Sequence, residues 1–264
     1  MRPGSRFERM GRVFFDAEGR PIRHVAADDS EFRTALEALR DFELLLPILA
    51  TVDRIEGGHA LLEGVLRDDP LPHAGNQSPG RDAQTELLVA STCALGGMDP
   101  VSIEEPDVKA VTEGQPWRIA VKRVKSQRRI DDNLRRAADQ TGRWEDPGVV
   151  FLDVSLAFDP DDQQVTRPMP REEFHHLLGE GLRRGIQRIE RRVFERARAK
   201  GVGVVYFYFS CLRLDPESGW ELGSIHMDVD TAVDDATRAA YWQFRAAFSA
   251  GIERLGLCEP GSGS

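Results

Sequence analysis

Two apolar runs constrain this chain more than anything else in it. Gly148–Phe158 reads GVVFLDVSLAF and Gly201–Leu214 reads GVGVVYFYFSCLRL. Neither alternates apolar with polar residues over its length. Each therefore predicts a strand covered on both faces, as in sheets layered by helices. The Tyr206–Phe209 aromatic run could stack on single-stranded bases, but a strand with two buried faces accounts for it more simply.

The segments around these runs fill in an order. Phe32, Leu36, Leu39, Phe42 and Leu46 recur at helical spacing behind Ser30, a candidate N-cap, with a break expected near Pro47 and more helix to about Leu66. Val13–Phe15 suggests a short strand before that. Arg67–Gly80 (RDDPLPHAGNQSPG) reads as a linker. A helix over Arg81–Leu95 should stop at Gly96-Gly97. Strands are expected at Val101–Glu104, Asp107–Thr112 and Trp117–Val124, then a polar helix over Gln127–Thr141. After the first apolar run, one long helix from Pro168 to about Ala199 leads to the second. A strand at Trp220–Val229 and a helix over Asp234–Leu255 close the chain. The order α-β-β-β-α-β, then α-β-β-α, predicts an α/β fold: a mixed sheet flanked by helices. Residues 1–80 are expected as a helical extension and linker, and 81–260 as the main domain.

The chain has 264 residues and a formal charge of -9. That balance hides two basic tracts. Arg118–Arg136 and Arg183–Lys200 each hold eight Lys or Arg against two acids, so each is +6 and the remainder carries -21. Phosphate binding depends on local contacts rather than on net charge. A solvated helix face is the competing account of the second tract. Three scattered cysteines, Cys93, Cys211 and Cys258, suggest no disulfide framework or zinc knuckle and point to a reducing cytoplasm. No apolar run approaches the roughly 18 residues that cross a bilayer, and the first residues lack the core of a secretory signal. The closing Gly261–Ser264 reads as a flexible tail.

The informative chemistry lies in the first unit. Glu86 is on the helix with Asp82 one turn earlier. Asp107 follows Glu104-Glu105-Pro106, and Lys122 lies on the third strand, on the face shared by Arg118, Ala120 and Val124. Gln140 is on the next helix. Over roughly residues 81–158 this resembles the PD-(D/E)xK nuclease superfamily, with its restriction-endonuclease-like fold. The resemblance gives Glu86 the helical acid's place, Pro106-Asp107 the PD motif's and Lys122 the lysine's. Gln140 resembles the added glutamine of the RecB-like and Holliday-junction-resolvase-like branches.

The resemblance implies a metal-dependent endonuclease acting on nucleic acid, DNA foremost. Glu86, Asp107 and the Val121 carbonyl would hold Mg²⁺ or Mn²⁺, Lys122 would assist attack, and Gln140 would orient water or phosphate. Arg123, Lys125, Arg128 and Arg129 would track the backbone. A part in bacterial genome defence, as a homo-oligomer or in a protein complex, would follow by association with the family. The departure is Ala120, where the family carries an acid. Three explanations stand: a substitution made to inactivate, a ligand supplied by another element such as Asp82, Glu104 or Glu105, or a catalytically silent domain that binds or assembles. The Gly179–Gly185 run lies inside a predicted helix and lacks a phosphate-loop ending. His175-His176 and His226 read as ordinary surface and sheet histidines.

Overall fold

Gly203–Phe209 (GVVYFYF) alternates between two hydrophobic cores. Val204, Tyr206 and Tyr208 belong to one core, and Val205, Phe207 and Phe209 to the other. In the computed structural model, which describes residues 30–67, 79–158, 164–215, 219–232 and 234–255, helices cover both faces of a mixed sheet. The helices are α1 (Ser30–Thr51), α2 (Gly58–Arg67), α3 (Pro79–Leu95), α4 (Ile130–Thr141), α5 (Ser155–Phe158), α6 (Arg171–Gln187), α7 (Arg191–Ala199) and α8 (Asp235–Arg254). The strands are β1 (Ile55–Glu56), β2 (Val101–Glu104), β3 (Asp107–Thr112), β4 (Gln115–Arg123), β5 (Gly148–Asp153), β6 (Gln164–Pro168), β7 (Val202–Asp215) and β8 (Gly219–Asp230).

The sheet runs β1-β2-β3-β4-β5-β7, with β6 and β8 both on β7. The pairs β2/β3 and β3/β4 are antiparallel, and β4/β5 and β5/β7 are parallel. β8 pairs β7 from Val204 to Asp215 and so takes one edge. β5 and β6 share the other, meeting β7 up to Tyr208 and from Leu212 onward. A parallel pair needs a crossover. α4 supplies it between β4 and β5, starting beside the C-terminal end of β4 and finishing beside the N-terminal end of β5.

The first core holds α1, α2, α3 and α8 against the sheet, and the second holds α4, α6 and α7. Leu45, Ile48, Val52 and Val65 from the N-terminal helices share a core with Leu87, Val89 and Trp117. The N-terminal helices are thus part of the main body rather than an extension beside it. The Thr51 hydroxyl bonds Ser91 Oγ at 2.8 Å, and Arg54 Nη2 donates to Ala94 O at 2.6 Å. α3 and α8 touch through their backbones. A Cβ on Gly96 would lie 2.1 Å from Ala247 O, and one on Gly251 2.0 Å from Thr92 O. Gly96 therefore does more than end a helix.

Several boundaries differ from the sequence reading. α1 passes through Pro47 to Thr51, because a proline inside a helix removes only one donor and the packed face on either side holds the turn. The long helix after Pro170 is two, α6 and α7. Arg188 N and Ile189 N close α6 onto Gly185 O and Ile186 O, and Glu190 is extended. β1 and β6 have two and five residues, too short for a periodic signal. The Val13–Phe15 strand, linker residues 68–78, Cys258 and the closing Gly261–Ser264 lie outside the described residues. No helix among those described is long and apolar enough to cross a membrane.

Candidate functional site

The end of the sheet where β4 finishes and β3 begins gathers the charged residues. Val108 and Ala110 point into the first core, so by alternation Asp107 points to the opposite face, the face of Ala120 and Lys122. Asp107 accepts two hydrogen bonds on one oxygen. Val121 N donates to Oδ2 at 2.7 Å and Lys122 Nζ donates to it at 2.8 Å. The same ammonium donates to Val121 O at 2.8 Å. Lys122 Nζ thus sits between the carboxylate oxygen and the carbonyl oxygen that the resemblance assigns to a metal ion.

α3 brings Glu86 and Asp82 to this place, both half-buried. Glu86 is pushed up to about 7, first by burial and then by the Asp107 charge, against the pull of Lys122, with Asp82 adding repulsion. Burial also raises Asp107, against the pull of Lys122 and the Val121 N–H. Asp82 is raised by burial, partly offset by Arg123, Lys125 and Lys122. All three carboxylates therefore feel Lys122, and Glu86 also feels the other two. Such displaced values accompany functional sites, and structural ion networks also produce them.

The alternative acids sort differently. Glu104 is engaged by Ser102 Oγ at 2.6 Å and by Arg118 Nη1 at 3.1 Å, which hold its carboxyl below the usual range. Arg118 also binds Glu105 O and Asp146, and lies 4.2 Å over the Trp144 ring. The Glu105 charge reaches Asp107 and raises its pKa slightly. Of these alternatives, Asp82 is the one whose carboxyl feels Lys122, after burial and the charges of Arg123 and Lys125. Ala120 is fully buried in the second core with Leu134 and Val150, so its position lies under α4 rather than in an open pocket.

Two expected residues are placed elsewhere. Gln140 is in the last turn of α4, where the following Thr141 and Gly142 pack on Gly148 and Lys200. Gly148 pairs Arg118, whereas Lys122 pairs Leu152. Four residues of strand, on the order of 13 Å, thus separate Gln140's end of the sheet from the lysine. Gln140 Oε1 is buried without a hydrogen-bond partner among the described residues. Arg123 was expected on the nucleic-acid surface, yet its side chain is 3% exposed and its Nε lies 3.8 Å from Asp153. It belongs to a buried charged group with Arg40, Asp41 and Arg81. Arg81 Nε meets Asp41 Oδ2 at 2.8 Å and Arg40 Nη2 meets Asp41 Oδ1 at 3.3 Å. Burial, then the Arg40 charge, lowers the Arg123 pKa. Lys125 is half-buried, and Arg128 and Arg129 are exposed.

Asp153 is the residue the sequence reading passed over. It closes β5, and its Oδ1 accepts from Ser155 N at 3.0 Å and Ser155 Oγ at 2.6 Å. The available signal was an acid at the end of an otherwise apolar strand. His226 is close to Asp228, but Asp228 pairs with Arg245 at 2.8 Å, and burial lowers the histidine. Among the described residues, no three His, Cys, Asp or Glu side chains converge into a group that would hold a metal ion. The oxygen donors of Glu86, Asp107 and Val121 are nonetheless of the hard kind that Mg²⁺ takes, in the small number of protein ligands it commonly uses. Comparisons of the chain with protein-family models, with curated proteins and with solved structures found no match.

Proposed function

We propose that this chain is a metal-dependent phosphodiesterase of the PD-(D/E)xK kind, acting on nucleic acid and on DNA foremost. The observation that carries the reading is the Asp107–Lys122–Val121 arrangement. It lies at one end of an αβββαβ unit whose helix brings up Glu86. Glu86 and Asp107 would hold Mg²⁺ or Mn²⁺ with the Val121 carbonyl, and the ion would supply charge neutralisation at the scissile phosphate. Lys122, displaced from its two oxygen partners, would turn its ammonium toward the phosphate, where negative charge builds during attack. Asp82 stands in reach of that lysine's field and is the acid best placed to supplement the pair. The Arg128–Arg129 turn supplies backbone contacts.

A second reading has an observation of its own. Lys122 already neutralises Asp107 and caps Val121 O, and position 120 offers no acid. A catalytically silent nucleic-acid-binding module would need nothing more. The experiment incubates supercoiled plasmid, linear duplex, single-stranded DNA and RNA with the protein and Mg²⁺ or Mn²⁺. Glu86→Gln, Asp107→Asn and Lys122→Ala run beside it. Cleavage that each substitution lowers by about a hundredfold or more supports the enzyme. Salt-sensitive binding without cleavage by the unaltered chain replaces it with the silent module.

A further inference from the structure

In the second basic tract some side chains are engaged by acids and others are not. Arg183 pairs with Glu180, Arg191 with Glu195, Arg192 with Glu190 and Lys200 with Asp139. Arg184 and Arg188 are exposed and make no ion pair among the described residues. Arg184 is in the last turn of α6 and Arg188 caps its C-terminal end, so two guanidiniums four residues apart stand side by side with no acid between them. Both line a cleft of about 260 Å³ that, among the described residues, is also lined by Gln127, Phe158, Gly181 and Gly185.

The cleft's walls explain its shape. Gly181 and Gly185 repeat at the same interval as the arginines and leave the helix surface bare between them. Gly185 has no room for a side chain, because a Cβ there would lie 2.4 Å from the Phe158 ring. Gln127 opens the short turn that carries Arg128 and Arg129, likewise exposed and without an ion pair among the described residues. Lys125, at the margin of the acid–lysine site, feels the Arg129 charge. Gln127 follows the end of β4 and Phe158 follows the end of β5, so the cleft opens at the same end of the sheet as Lys122. Its volume is below the roughly 300–1,000 Å³ of small-molecule pockets, which suits a phosphate group rather than a whole nucleotide cofactor.

We propose that Arg184 and Arg188, with Gln127 and the Arg128–Arg129 turn, form a cleft that binds the phosphate backbone of nucleic acid running to the acid–lysine site. This rests on the nucleic-acid reading above and names the path the polymer takes. Each guanidinium acts on phosphate charge, so the contact is independent of sequence and carries a salt dependence.

The test is fluorescence anisotropy on labelled single-stranded and duplex DNA, without divalent metal, over a series of salt concentrations. R184Q/R188Q is compared with R191Q/R192Q, which removes the same charge from ion-paired arginines on α7. Circular dichroism confirms that both fold. R184Q/R188Q is expected to weaken binding about tenfold at ~0.1 M salt and to lower the salt slope by about 2, while R191Q/R192Q stays close to the unaltered chain. Equal losses in the two variants, no loss in R184Q/R188Q, or no binding by the unaltered chain would each overturn the cleft. The same samples with Mg²⁺ keep the two ideas separate. If nothing is cleaved but the binding contrast holds, the catalytic reading alone falls.

Discussion

At the residue scale, Glu86 carries the sharpest prediction. Its ordinary pKa is 4.5 and the fold raises it to about 7, so the folded protein holds this proton more tightly than the unfolded chain. The sign follows directly. Between those two values the unfolded state has lost the proton and the folded state has not, so stability falls as pH rises through that window. The shift corresponds to roughly 3 kcal/mol, lost for the most part by pH 8. Glu86→Gln, which never ionises, should flatten the dependence when unfolding is followed in denaturant between pH 5 and 8. An unchanged slope would mean that burial and the Asp107 charge do not raise the Glu86 carboxyl as described.

At the scale of elements, α4 decides what position 120 can do. Ala120 has the same strand parity as Lys122, but α4 covers it with Ile130, Leu134 and Ala137. An acid introduced there enters an apolar core. Ala120→Glu should therefore destabilise by about 3 kcal/mol or more, read as a drop in the denaturation midpoint, and should not raise cleavage above that of the unaltered chain. Increased cleavage by that variant would show that α4 yields and that the position opens toward Asp107. The sequence already carried the parity of these residues, since alternation along a strand is local. It did not carry the cover, because α4 reaches β4 only through the β4–β5 crossover. Gln140 is misplaced for the same reason. A residue near the end of a crossover helix returns to the start of the next strand, away from the end that holds Lys122.

At the scale of the whole molecule, a buried ionic group links the N-terminal helix to the site. Asp41 on α1 meets Arg40 and Arg81, each about 4% exposed, and Arg123 and Asp153 lie beside them. Asp41→Ala strands two guanidiniums away from water and should cost about 3–5 kcal/mol. Because α1 and α2 share the first core with α3, chemical denaturation should show one transition by fluorescence and by circular dichroism. Separate transitions would mean that the N-terminal helices fold independently of the sheet.

The sequence alone determined the six longer strands β2–β5, β7 and β8, the crossover helix, the two-faced burial of β5 and β7, and the company of Glu86, Asp107 and Lys122 in one unit. All of these follow from periodicity and from side-chain direction along a few neighbouring residues. Only the tertiary structure decided that Lys122 bridges Asp107 and Val121, that Arg123 is interior and Arg184 is not, and that Asp153 closes the charged end of the sheet. Those outcomes depend on which element covers each face and which partner reaches each charge. Burial and pairing are set by segments far apart in the chain, so no local pattern encodes them.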